Sequence, residues 1–219
     1  MSIDLELFLE RRPSKAEAEK LIGLADDDFL VQVSRTLRDH GHGHLITFSP
    51  KVFIPLTVLC RDVCHYCTFA KKPRELPQAY LSEEQVYNVA KSGKSLGCHE
   101  ALFTLGDKPE LRYRVAREEL KQLGCSSTVK YLQKSAKLVF EQTGLLPHIN
   151  AGILSRDEMA EMREVSASQG IMLESSSERL CQRGGPHFGS PDKHPAVRLA
   201  NIKQAGELGV PFTTGILIG

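Results

Sequence analysis

The sequence of 219 residues has no excess of either charge. Its 28 Lys+Arg against 27 Asp+Glu leave a formal net charge of +1, so the electrostatic footprint of a dedicated nucleic-acid binder is missing. It also lacks long apolar runs; none approaches the roughly 18 residues that span a bilayer. Met1 to Glu10 carry acidic groups and show neither the basic n-region nor the apolar h-region of a secretory signal, which points to the cytoplasm. Phosphate-cradling glycine motifs are missing too. No Gly-x-Gly-x-x-Gly follows the first predicted strand and no Gly-x-x-x-x-Gly-Lys-[Ser/Thr] occurs, so neither a Rossmann dinucleotide site nor a P-loop is indicated. There is no low-complexity tract and no short repeat beyond a βα unit. What is present, 41% hydrophobic and 25% charged residues, is the composition of an ordinary folded chain. The length allows one domain with a sizeable core and falls short of the roughly 250 residues of a complete eight-fold barrel.

Residues 1–50 read as mostly polar helix. Ser14 caps a predicted helix containing Ala16, Ala18, Leu21 and Ile22, and a second is expected from about Asp26 to His40, carrying Phe29, Leu30, Val33 and Leu37 on one side. Gly41-His42-Gly43-His44 reads as the solvated turn that ends it. From residue 51, short apolar runs alternate with helical periods. Strands are expected at 52–59, 101–105, 148–153, 171–174 and 212–218. Ser82 with Gln85, and Ser155 with Glu158, have the spacing of capping boxes, the first opening a helix over 82–97 with Val86, Val89, Ala90 and Gly97 on one side. Val129, Leu132, Ala136, Val139 and Phe140 mark another helix, and Pro195 starts one that stops near Gly209. Strands alternating with helices imply a parallel sheet in an α/β fold.

Six cysteines in a cytoplasmic chain are poor disulfide candidates. Cys98, Cys125 and Cys181 are scattered and read as buried or surface thiols. Cys60, Cys64 and Cys67 fall in one run, Cys-Arg-Asp-Val-Cys-His-Tyr-Cys, just after the first predicted strand, where α/β architectures place their sites. Thiolates at that density favour zinc or iron–sulfur. A structural zinc site wants a fourth ligand, which His65 or a distant cysteine would have to supply; His65 reads as a loop residue. An electron-transfer cluster wants four cysteines. Three with no obvious fourth suggest a 4Fe-4S cluster with one iron left open.

This Cys-x-x-x-Cys-x-Tyr-Cys run resembles the radical S-adenosylmethionine (radical SAM) superfamily. Within it, the chain is similar to the synthases of the 5-deazaflavin chromophore of coenzyme F-420. That finer similarity rests on Ile46 to Thr57, Cys64 to Ala70, Ala101 to Glu110, Leu146 to Gly152, Met172-Leu173-Glu174, Ser177 to Leu180 and Pro211 to Gly219. It implies a partial (β/α) barrel of parallel strands over 51–219, with an N-terminal helical extension over 1–50. It implies that Cys60, Cys64 and Cys67 hold a 4Fe-4S cluster whose open iron chelates SAM. One electron then yields a 5′-deoxyadenosyl radical, which abstracts hydrogen from substrate. The substrate implied is the adduct of 5-amino-6-ribitylaminouracil and a tyrosine-derived fragment, made by a second radical SAM subunit or domain. The expected reaction is ring closure with loss of ammonia, fed by an external electron donor.

Residue by residue, the resemblance places the backbone around Tyr66 against adenine. Gly106 and Asp107 stand in the turn that binds the SAM amino group, although Thr-Leu-Gly-Asp-Lys-Pro-Glu departs from the commoner Gly-Gly-Glu form. Glu174 stands near the SAM ribose or substrate, and Arg198, in His-Pro-Ala-Val-Arg-Leu, pairs with the SAM carboxylate. Ile216 lies in the segment that packs on adenine. His148, Asn150 and Ser176 are candidate substrate contacts. No residue is assigned catalytic chemistry beyond the cluster and SAM. Other radical SAM activities (aminofutalosine-type, biotin-synthase-like, hydrogenase maturase) and a non-catalytic iron–sulfur or zinc-binding fragment are the alternatives. Five of six core strands are counted, and the chain stops inside the fifth apolar run, so a truncated barrel is expected.

Overall fold

The computed structural model describes residue 11, residues 13–23 and residues 27–218. The acidic segment Met1 to Glu10, the expected helix start at Asp26, and Gly219 lie outside the described residues. Two compact units divide at Phe48/Ser49.

The first unit is helical. Helix α1 (Lys15–Ile22) opens on a capping box in which Ser14 accepts from the Glu17 N–H and the Glu17 carboxylate accepts from the Ser14 N–H. Helix α2 (Asp27–His42) buries Val33. It runs two residues past the expected end at His40, and Gly43, with φ +59, closes it by donating to the Asp39 carbonyl.

The second unit is a five-stranded parallel sheet in the order β1 (Lys51–Ile54), β2 (Glu100–Thr104), β3 (Leu146–Asn150), β4 (Ser168–Gly170), β5 (Phe212–Thr213). Each strand neighbours the next in sequence, the order of a singly wound, barrel-like sheet. Helices α3 (Glu83–Ser95), α4 (Arg114–Gln122), α5 (Thr128–Thr143), α6 (Arg156–Arg163) and α7 (Pro195–Glu207) follow in chain order. Strand alternation sorts the two faces. Ile54, Ala101, Phe103 and Ile149 are fully buried with Val86 and Ala90 of α3 and Leu132, Ala136 and Val139 of α5. Lys51, Phe53, Leu102, Thr104, His148 and Asn150 fall on the opposite, inner face. Gly93 lets α3 close on β1, since a Cβ there would overlap the Val52 side chain. It replaces Gly97 as the packing glycine; Gly97 has φ +83 and sits in the turn after the helix.

Several expectations shift. Strand β3 lies at 146–150 rather than 148–153, and β5 ends at Thr213 rather than Ile218. Strand β1 ends at Ile54, not Leu59, because Pro55 has no N–H for a ladder. The chain leaves the sheet with Leu56 and Leu59 still buried. There Thr57 Oγ1 donates to the Ala79 carbonyl and accepts from the Leu59 N–H. Strand β4 lies at 168–170, ahead of the apolar run 171–174. Gly170 admits the Thr213 carbonyl, which a Cβ would meet at 2.8 Å, and beyond it only the Glu174–Ile216 bridge persists. Helix α4 is a further difference: it is short and amphipathic, lies between the expected elements, and buries only Ala116 and Leu120. Both capping boxes form as expected, at Ser82/Gln85 and Ser155/Glu158.

Candidate functional site

The carboxyl ends of β1 to β4 and the loops that leave them enclose a cavity of about 420 Å³. Cys60, Cys64 and Cys67 line it from the loop after β1, Gly106 and Asp107 from the loop after β2, Asn150 from β3, and Glu174 from the segment after β4. Arg198 reaches it from α7. The three thiols are free. Each sulfur has a polar neighbour: the Asp107 N–H is 3.2 Å from Cys60 Sγ, which the Asp62 N–H also meets, the Ala70 N–H is 3.4 Å from Cys67 Sγ, and Ser190 Oγ is 3.5 Å from Cys64 Sγ. Burial pushes the Cys60 thiol up to about 12 and raises Cys64 as well, so binding a metal there releases protons. Cys98, Cys125 and Cys181 are absent from the cavity lining.

Gly106 is required where it stands. A Cβ on it would collide with the Leu59 carbonyl and lie 2.8 Å from Cys60 Cβ. The next residue, Asp107, is 5% exposed. Its Oδ2 accepts from the Ile153 N–H at 3.0 Å, and its Oδ1 has no partner. Burial, with Asp192 and Asp62 adding to it, pushes this carboxyl up to about 7. Asp62, Asp107 and Asp192 each bring a carboxylate oxygen within 4.8 Å of the other two. Burial and Asp192 raise Asp62. Asp192 itself takes a two-pronged contact from the Arg61 guanidinium. Backbone strain sits here too: among the described residues, the non-glycine residues with positive φ are Lys108 (φ 31) and Glu174 (φ 65). Ion pairs hold both, Lys108 Nζ to Glu158 at 3.1 Å and Lys193 Nζ to Glu174 at 2.5 Å.

A strap after β4, residues 180–194, lies against the cysteine loop. The His65 N–H donates to the Pro186 carbonyl at 2.8 Å, and the Tyr66 hydroxyl meets His187 Nε2 at 3.0 Å. Burial, then Lys193, holds His187 below the ordinary histidine range, so the neutral ring serves this contact. Burial, then Glu174, raises the Tyr66 phenol and keeps it protonated. Arg198 is buried, with Nε donating to the Asp192 carbonyl at 2.8 Å and Nη1 to the Met172 carbonyl.

Of the residues singled out from the sequence, Cys60, Cys64, Cys67, Tyr66, Gly106, Asp107, Asn150, Glu174 and Arg198 share this cavity. Three do not line it. His148 is two residues before Asn150 on the inner face, too early in β3 to reach the cavity; its Nδ1 meets Ser168 Oγ at 2.6 Å. Ser176 is exposed beyond the αL turn at Glu174, which carries the chain away from the strand direction. Ile216 is 68% exposed, because its backbone bridge to Glu174 is an isolated one and no ladder carries the side chain inward. Reading the sequence missed Arg61, Asp62, His187, Ser190, Asp192 and Lys193. Arg61 and Asp62 lie inside the cysteine run itself, and the other four share the run His-Phe-Gly-Ser-Pro-Asp-Lys over 187–193, which has no periodicity.

The chain belongs to the radical SAM superfamily, whose family model matches residues 54–219. Among curated relatives it is 51% identical over 179 residues to the FO synthase of Mycobacterium tuberculosis, matching 80% of this chain and 21% of that protein. It is 50% identical over 175 residues to the 7,8-didemethyl-8-hydroxy-5-deazariboflavin synthase of Methanopyrus kandleri, matching 80% of this chain and 52% of the relative. The chain thus spans about half the length of the second and about a fifth of the first. Two solved structures share the fold. Methylornithine synthase (PylB) gives a TM-score of 0.71 at 20% identity, covering 98% of this chain and 59% of its own. The FeFe-hydrogenase maturase HydG from Carboxydothermus hydrogenoformans gives 0.74 at 20% identity, covering 98% and 48%. The fold is therefore α/β, a partial barrel of parallel strands.

Membership implies a 4Fe-4S cluster and S-adenosylmethionine. The donor set fits both: three free thiols without a fourth cysteine at the cavity, a buried orphan carboxylate oxygen, and a buried guanidinium. Among the described residues no helix is long and apolar enough to cross a membrane.

Proposed function

We propose that this chain acts in forming the 5-deazaflavin chromophore 7,8-didemethyl-8-hydroxy-5-deazariboflavin, as an ammonia-releasing radical SAM lyase. The observation that carries this reading is the convergence of Cys60, Cys64 and Cys67 with Gly106, Asp107 and Arg198 on one cavity, in a chain about half identical to synthases of that name. When bound, the reduced cluster and SAM supply the one-electron chemistry that removes a hydrogen atom from an unactivated C–H bond.

The chain's own residues bind, orient and exclude water. The three thiolates hold the cluster and leave one position open, since no other cysteine lines the cavity. Asp107 Oδ1 offers an acceptor for the SAM ammonium. Arg198 has its Nε and Nη1 committed to carbonyls, which fixes the guanidinium plane and leaves Nη2 for the SAM carboxylate. Tyr66 and Glu174 border the adenosine, and Asn150 faces the substrate. His148, Ser176 and Ile216 take no part in this assignment. Phe53 and Phe69 stack edge-on at 6.2 Å and give the inner face an apolar wall beside the cavity, which protects a reactive carbon centre from water.

In this reading residues 1–50 are an N-terminal helical extension and residues 51–219 are the barrel. The substrate is the adduct of 5-amino-6-ribitylaminouracil and a tyrosine-derived fragment. A second radical SAM subunit or domain supplies it, and an external donor supplies the electron. The test is anaerobic turnover with the partner synthase, tyrosine, the aminouracil, SAM and a reductant. Fluorescent deazaflavin formed together with 5′-deoxyadenosine is expected. SAM cleavage without deazaflavin would assign the chain to another radical SAM reaction.

A further inference from the structure

We infer that Ser190 is a positioning residue for the cluster: its hydroxyl proton is held for the sulfur of Cys64 and sets the cluster's reduction potential. The inference rests on the proposed cluster at Cys60, Cys64 and Cys67.

The direction of the hydrogen bond follows from the hydroxyl's other partner. Ser190 Oγ accepts the Val63 N–H at 3.0 Å, which commits oxygen density to the loop backbone. Its O–H remains, and Cys64 Sγ lies 3.5 Å away. A metal-bound thiolate carries no proton, so the hydroxyl is the donor. Ser190 is 4% exposed, so no water competes for that proton. Its backbone is fixed at both ends, the N–H donating to the His187 carbonyl at 3.0 Å and the carbonyl accepting from the Lys193 N–H at 3.1 Å. Gly189 reaches φ +83 just before it, a conformation that turns the strap down onto the cysteine loop.

The three sulfurs are served unequally. The donors to Cys60 and Cys67 are backbone N–H groups, those of Asp107 and Asp62 for the first and of Ala70 for the second, which no side-chain change removes. Cys64 alone takes its donor from a side chain, contributed 126 residues along the chain. Hydrogen bonds to cluster sulfurs favour the reduced, more negative state and raise the potential. Ser190 is therefore the point at which a substitution moves the potential without touching a ligand.

The experiment uses the whole chain, reconstituted anaerobically, as wild type, Ser190→Ala and Ser190→Thr. Iron content and the midpoint potential from a spectroscopically monitored titration are read for each. Ser190→Ala is expected to keep its iron and shift to a more negative midpoint, with Ser190→Thr, which retains the hydroxyl, at the wild-type value. An unchanged midpoint in Ser190→Ala overturns the inference, as does a Ser190→Thr shift as large as that of alanine. If Ser190→Ala holds no iron, Ser190→Thr decides: full iron at the wild-type midpoint supports the role of the hydroxyl, and loss of iron there too contradicts it. Failure of the wild type to take up iron would instead sink the proposed function.

Discussion

The backbone N–H of Asp107 points at the sulfur of Cys60 from 3.2 Å, while the side chain of the same residue is buried at the floor of the cavity. Two loops that follow different strands are thereby locked together, and Gly106 makes the approach close enough. The backbone of Asp107 donates to the Cys60 sulfur, and its carboxylate keeps one buried oxygen without a hydrogen-bond partner. In the proposed function, this two-residue turn carries both the local backbone geometry and the recognition of the SAM ammonium.

Gly106→Ala is expected to break that lock. The added methyl meets the Leu59 carbonyl and Cys60 Cβ, rigid neighbours that cannot swing aside, and overpacking of this kind costs about 1–3 kcal/mol. A lowered melting temperature and reduced iron retention are the readouts. Gly206→Ala in α7 is the control, since a Cβ there meets nothing within 4 Å. It should leave both readouts level, or stabilise by up to about 1 kcal/mol from helix propensity.

Asp107→Asn separates recognition from folding. The amide keeps the shape and the acceptor for the Ile153 N–H, and removes a charge crowded by Asp62 and Asp192. The melting temperature should hold or rise. SAM binding, measured by calorimetry on the reconstituted protein, should weaken by about 10-fold or more, the loss expected for a charged hydrogen bond. A fall in stability with SAM affinity intact would make the carboxylate structural.

Glu158 gives a pH signature. Burial pushes its carboxyl up, but the Ser155 N–H, Lys108 and the Ser155 hydroxyl outweigh that and hold it below its ordinary value of 4.5. A lowered carboxyl contributes stability above the ordinary value and loses it as pH falls through the lowered one. Glu158→Gln keeps the capping geometry and removes the charge that pairs with Lys108 at 3.1 Å. At pH 7 the variant should be less stable by about 1 kcal/mol. Denaturant titrations at successive pH values should show the gap closing below about pH 4. A constant gap down to pH 3 would contradict the ion pair.

What the sequence made legible was local. The capping residues Ser82 and Ser155 act on neighbours three positions away, and Cys60, Cys64 and Cys67 lie within one loop, so spacing alone exposed them. Strand β4 was displaced because Ile171-Met172-Leu173 has the apolar look of a strand, whereas the backbone approach that makes one occurs at Gly170. Arg61 with Asp192 and Val63 with Ser190 were invisible, being joined across more than 120 residues by a strap with no periodicity. His148 had the right residue type on the right strand, and a two-residue offset along β3 keeps it from the cavity.

The most direct test of the account is the electron paramagnetic resonance spectrum of the anaerobically reconstituted, reduced protein, recorded with and without SAM. Three cysteine ligands and one open iron should give about four irons per chain and a cluster signal that changes when SAM is added. A signal indifferent to SAM, or a protein that takes up zinc and no iron, would contradict it.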